Sequence, residues 1–156
     1  MTVLRFLVSG PTYFRGDGVN EAGEAFVGEL RVQDLKSGRA ALLSYVAAIA
    51  DGTVVHTEST LLGAGPDGKL CLWPVMSEIP VVLRHVELTT RSGAGGAVTT
   101  VFGSGQRDDT TSFREEITIS VGADRSLVYA HAWGLPGGAF DDRSSCRMMA
   151  MATRGN

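Results

Sequence analysis

The stretch Gly38 to Ser77, GRAALLSYVAAIADGTVVHTESTLLGAGPDGKLCLWPVMS, constrains the fold most, because two glycine turns cut it into three segments of strand length. In an extended chain Ala41, Leu43, Tyr45, Ala47 and Ile49 share one side, and Leu42, Ser44, Val46 and Ala48 share the other. Alanine and leucine also suit a helix. Tyr45, Val46 and Ile49 favour strand, however, and Asp51-Gly52 is a strong hairpin signal. The next run places Val54, His56, Glu58, Thr60 and Leu62 on one face. Gly65-Pro66-Asp67-Gly68 then reverses the chain into KLCLWPV, since proline presets φ and glycine accepts a positive one. The result is an antiparallel meander.

Similar segments occupy most of the remaining chain. Phe26, Gly28, Leu30 and Val32 alternate with polar positions, and Ile79 to Thr90 predicts a strand after the VMSEIP loop. AVTTVFGSG, SFREEITISV, LVYAHAW and the closing CRMMAMATR follow, separated by SGAGG, RDDTT, GADRS and a Pro-Gly-Gly loop. Residues Thr2 to Val8 have two readings: a first strand, or an apolar plug for one end. Gly10 to Gly23 is glycine-dense and polar, and predicts a flexible connection whose Tyr13 and Phe14 pack back as a lid. The expected fold is all-β, a single domain over residues 1–156, with about nine or ten strands in one antiparallel up-and-down barrel. Closure removes the exposed edges that so long a meander would otherwise carry.

Charge and composition narrow the function. A net charge of −3, with arginines scattered along the chain, argues against a nucleic-acid partner. No run of about 18 apolar residues offers a membrane span. MTVLRFLVSGP lacks the apolar region of a secretory signal, so a cytoplasmic location is expected. Cys71 and Cys146, far apart in sequence, are expected as buried thiols.

The order GR-x5-Y at Gly38, Arg39 and Tyr45, DG at Asp51-Gly52, LLG at Leu61 to Gly63, PDGK at Pro66 to Lys69, then Trp73 and Ser77, resembles the uncharacterised bacterial lipocalin-like barrels of the calycin superfamily. Arg114 and the closing Thr153-Arg154 fall where that family places an arginine and a T-R. The resemblance covers roughly Glu24 to Arg154. It implies a small barrel similar to fatty-acid-binding proteins and nitrobindins, whose lumen holds an apolar ligand or haem. The lipocalin Gly-x-Trp start is missing, MAMATR lacks the aromatic before T-R, and no histidine stands in a recognisable nitrobindin haem-ligand context. No cofactor is therefore predicted; haem is what the resemblance allows, without a ligand motif.

The site expected is an apolar lumen with a few orienting groups: Tyr45, His56, Trp73, Arg114, Tyr129, His131 and Trp133, with Arg114 or His131 holding the guest's polar end. His56, His85 and His131 lie on three predicted strands that a barrel can turn inward, but their wide spacing and the lack of an H-x-H pair predict no metal site. Glu58, Glu87 and Glu115 lie in phase with apolar neighbours. Glu58 or His85 is the acid or base of an alternative reading, an enzyme that isomerises or cyclises a hydrophobic substrate. A third reading is a homodimerisation module using the second apolar face of the Ala41 to Ile49 or the Val128 to Ala132 strand.

Overall fold

The computed structural model describes residues 1–35 and 38–152. Lys36 and Ser37, which precede the Gly38 to Ser77 stretch, and the closing Thr153-Arg154 lie outside the described residues. Ten strands run β1 (Tyr13–Asn20), β2 (Ala25–Leu35), β3 (Ala40–Ala48), β4 (Val54–Ala64), β5 (Leu70–Met76), β6 (His85–Ser92), β7 (Val98–Ser104), β8 (Arg114–Val121), β9 (Ser126–Gly134) and β10 (Asp141–Ala150). Each pairs antiparallel with the next, and β1 pairs with β10 to close the barrel. The up-and-down barrel is therefore the fold. Gly52 and Gly68 take the positive φ that the two sequence turns demand, 87° and 78°.

Three boundaries differ from expectation. The glycine-dense stretch predicted as a lid is strand β1, with Phe14 wholly buried. Gly16 is there for close approach: a Cβ would stand 2.0 Å from the Arg147 carbonyl oxygen of β10. Gly16→Ala should therefore lower the unfolding free energy by about 1–3 kcal/mol in urea denaturation; an unchanged midpoint would mean that the β1–β10 seam is loose. The strand predicted from Ile79 begins only at His85, because Pro80 donates no backbone hydrogen bond and Val81 and Val82 face solvent. Strand β10 starts at Asp141, ahead of the predicted closing strand at Cys146.

The N-terminal segment is helix α1 (Val3–Ser9), capped by Thr2 Oγ1, which accepts from the Arg5 amide at 3.1 Å. Val3 and Leu7, one turn apart, are buried. The helix packs against β2, β3, β7 and β8, so of the two readings the first strand fails and the apolar segment packed on the barrel stands, as a helix. Below the middle of the barrel Phe14, Leu30, Leu43, Leu62, Phe102, Ile119 and Leu127 are buried in the interior. The other end stays open. The wall is thinnest between β5 and β6, where two residue pairs, Cys71 with Val86 and Leu72 with His85, make the ladder.

Candidate functional site

A cavity of about 450 Å³ occupies the open end, ringed by the β1–β2, β3–β4, β5–β6 and β9–β10 connections. Phe26, Ala47, Ile49, Met76, Ile79, Phe113, Trp133 and Leu135 form its apolar wall, and Tyr45, His56, Glu115, His131 and Ser144 its inner polar points. Glu24 and Glu78 also line it. Among the described residues the lining contains no lysine or arginine.

Its floor is built by opposite walls. Strands β4 and β9 are five positions apart in either direction round the ten-strand barrel, so their inward side chains meet across the lumen. Period-two geometry puts His56, Glu58 and Thr60 of β4, and Tyr129 and His131 of β9, on those inward faces. Glu58 Oε1 accepts from the Tyr129 hydroxyl at 2.6 Å and from Thr60 Oγ1. Its Oε2 faces His131 Nε2 at 3.0 Å and His56 Nε2 at 3.4 Å. Beyond the pair, His56 Nδ1 lies 2.8 Å from Glu78 Oε2, and His131 Nδ1 lies 3.5 Å from Ser144 Oγ.

Burial alone would raise the Glu58 pKa, yet hydrogen bonds from His131, His56 and Thr60 outweigh it and hold the carboxyl well below the usual range. Burial would lower His56, but Glu58 and Glu78 on either side bring it above its ordinary value. Tyr129, buried and beside the Glu58 charge, is pushed far above the usual phenol value.

A second polar pair stands apart. His85 Nδ1 is 3.0 Å from the Leu83 carbonyl oxygen, so it carries a hydrogen, and Nε2 is 2.8 Å from Glu115 Oε2. Both residues are buried, and Glu115 reaches the cavity while His85 lies behind it.

Of the residues expected to bind, Tyr45, His56, His131 and Trp133 line the cavity. Tyr129 sits behind that wall as a donor to Glu58. Trp73 falls elsewhere: it pairs with Leu61, 40% exposed, on the outer face, while its neighbours Leu72 and Met76 point in. Arg114 is also not a cavity group. Its buried guanidinium donates to the carbonyl oxygens of Arg107 (3.1 Å), Ser112 (3.3 Å), Leu135 (2.8 Å) and Gly138 (2.7 Å), tying two rim loops together. Glu58 and His85, the expected acid or base, both stand one layer behind the lining. Of the three histidines His56 and His131 meet, with ring centroids 5.6 Å apart, while His85 belongs to the other pair.

Glu78 and Ser144 carried no periodic signal, because Glu78 lies in the irregular β5–β6 connection and Ser144 beside the register shift at Asp142 and Ser144 that breaks the alternation of β10. Glu115 did, through its phase with Ile117 and Ile119. The Nε2 atoms of both cavity histidines are directed at Glu58, so in this arrangement neither points into the cavity as a haem ligand would. A small ion is another matter, since His56, Glu58 and His131 hold ligand atoms within 4.8 Å of one another.

No helix among the described residues is long and apolar enough to cross a membrane. No family model matches the chain, and no curated protein matches it. The crystal structure of Rv2717c from M. tuberculosis is similar in fold, with a TM-score of 0.74 over 97% of this chain and 100% of that one, at 12% identity. A likeness at that identity concerns the fold alone.

Proposed function

We propose that this calycin-like barrel binds a small, mainly apolar molecule in its open end. The observation that carries the reading is the cavity itself: about 450 Å³, walled by apolar and aromatic side chains, with polar groups gathered at its floor. The absence of a lysine or arginine from the described lining sets the guest's polar end. With Arg114 engaged by carbonyls, and Glu24, Glu78 and Glu115 in the wall, a neutral donor or an amine is accommodated and a carboxylate is repelled.

The two tryptophans make the test self-controlled. In EDTA-treated protein, titration with a medium-chain alkyl alcohol or amine is expected to change tryptophan emission in the wild type and in Trp73→Phe, and to leave Trp133→Phe silent. The same chain ending in a carboxylate is expected to bind about tenfold more weakly or worse, each tenfold being about 1.4 kcal/mol. Emission changes that vanish in Trp73→Phe, or tighter binding of the carboxylate, would reject the reading.

The His85–Glu115 pair favours a second reading, catalysis in the same lumen. A carboxyl group that reaches the cavity and shares a proton with a buried imidazole has the parts of a general acid or base. On that reading Glu115→Gln abolishes turnover of a guest while leaving its affinity in place.

A further inference from the structure

We infer that His56, Glu58 and His131 form a binding site for a divalent first-row transition ion at the floor of the cavity, with zinc the best match to two imidazole nitrogens and one carboxylate oxygen. The distances argue first. Bonds of about 2.1 Å place ligand atoms about 3.0 Å apart at a right angle and about 3.4 Å apart at the tetrahedral angle. Glu58 Oε2 lies 3.0 Å from His131 Nε2 and 3.4 Å from His56 Nε2, so both edges that include the carboxylate already have ligand spacing. All three ligand atoms lie within 4.8 Å of one another, and rotation of the partly exposed His56 ring can close the remaining edge.

The supporting groups argue second. A metal-bound imidazole usually donates its other ring nitrogen to a carboxylate or another oxygen, which fixes its tautomer. His56 Nδ1 has Glu78 at 2.8 Å, and His131 Nδ1 has Ser144 Oγ at 3.5 Å. The other oxygen of Glu58 is fixed by Tyr129 and Thr60. Each ligand thus has a polar partner on its far side, and the two edges that include Glu58 stand at ligand spacing. Charge favours the ion too, since Glu58, Glu78 and Glu115 surround the floor and no described lining residue is a lysine or arginine.

Occupancy has a defined proton balance. With no ion, Nε2 of both histidines carries the hydrogen that Glu58 accepts, and His56 carries a second on Nδ1 toward Glu78. Coordination sends the His56 Nε2 proton to solvent and moves that of His131 to Nδ1, where Ser144 accepts it. Three protein ligands leave a four-coordinate ion one position, available to water or to a donor atom of a cavity guest. The metal alone is the probe, so the inference stands or falls separately from the apolar-guest reading.

Protein stripped with EDTA and dialysed against Zn²⁺ or Co²⁺ is expected to retain one equivalent per chain by elemental analysis. The Co²⁺ form should show the intense visible bands of a low-coordinate site. His131→Gln should weaken Zn²⁺ binding more than 100-fold, and Glu78→Gln, at an exposed position that spares the core, about 10-fold through loss of its support. In the unaltered protein, imidazole ¹⁵N spectra should show Zn²⁺ moving the Nε2 resonances of His56 and His131 and leaving those of His85 in place. No retained metal, equal affinity in His131→Gln, or a shift confined to His85 would overturn the assignment.

Discussion

Replacing Arg114 with methionine is expected to lower the unfolding free energy by about 3–5 kcal/mol, the range for leaving a buried charged network without its partner. Methionine fills most of the same space, so the loss reports hydrogen bonds more than an empty hole. Four carbonyl oxygens from two separate rim segments, around Arg107 to Ser112 and Leu135 to Gly138, converge on one guanidinium. Only a planar fork with five donors satisfies so many acceptors from one side chain. The surroundings are shaped to it: a Cβ at Gly134 would stand 2.8 Å from the guanidinium carbon. Arg114→Lys should recover a minor part, because an ammonium is a point donor. Urea denaturation gives the energy, and proteolysis at the Arg107 to Ser112 loop should accelerate in parallel. A loss below about 1 kcal/mol, the worth of a single ordinary hydrogen bond, would refute the clamp.

The contrast between Arg114 and Glu58 shows what the chain discloses before it folds. Alternation placed Glu58 with Thr60 and Leu62 on one face, in phase with apolar neighbours, and the Asp51-Gly52 and Pro66-Asp67-Gly68 turns fixed the order of the central strands. Periodicity is a property of single strands, so it groups side chains by face without saying which face turns into the lumen. Nor does it say which group from the far wall a side chain will meet. That Glu58 meets His131 follows from closure of ten strands, which sets β4 opposite β9, and no local pattern carries that information. Arg114 misled for the opposite reason. An arginine on a predicted strand suggests an anchor for the guest's polar end, but carbonyls from loops without periodicity captured it first. The strand at Tyr13 to Asn20 was obscured by Gly16, whose strand role appears only when Arg147 lies against it. Trp73 has the spacing of an outward residue on its own strand, opposite Leu72 and Met76, and its aromatic character concealed that phase.

Glu58→Leu is expected to cost about 3–5 kcal/mol in metal-free protein, because it removes the one acceptor shared by four donors, of which Thr60, Tyr129 and His131 stay buried. Tyr129, 1% exposed, is left with its hydroxyl facing hydrocarbon. Glu58→Gln should cost clearly less. Its amide oxygen still takes the Tyr129 and Thr60 hydroxyls, and its NH₂ can donate to His131 Nε2 once that ring holds its hydrogen on Nδ1. The pH dependence has two limbs of opposite sign. Glu58 is depressed in the folded state, so its contribution is complete above the ordinary carboxyl value of 4.5 and is lost as pH falls below it. His56 is raised, so its contribution is complete below 6.5 and is lost as pH rises through the folded value. Stability from this cluster therefore peaks between those two values in EDTA-treated protein. In Glu58→Leu the acid limb disappears, and the alkaline limb shrinks to what Glu78 alone sustains. If the wild type and Glu58→Leu instead give parallel stability curves from pH 3 to 8, about the span of these ordinary values, the carboxylate at the centre of the floor is not ionised, and the hydrogen-bond assignment made from its distances fails.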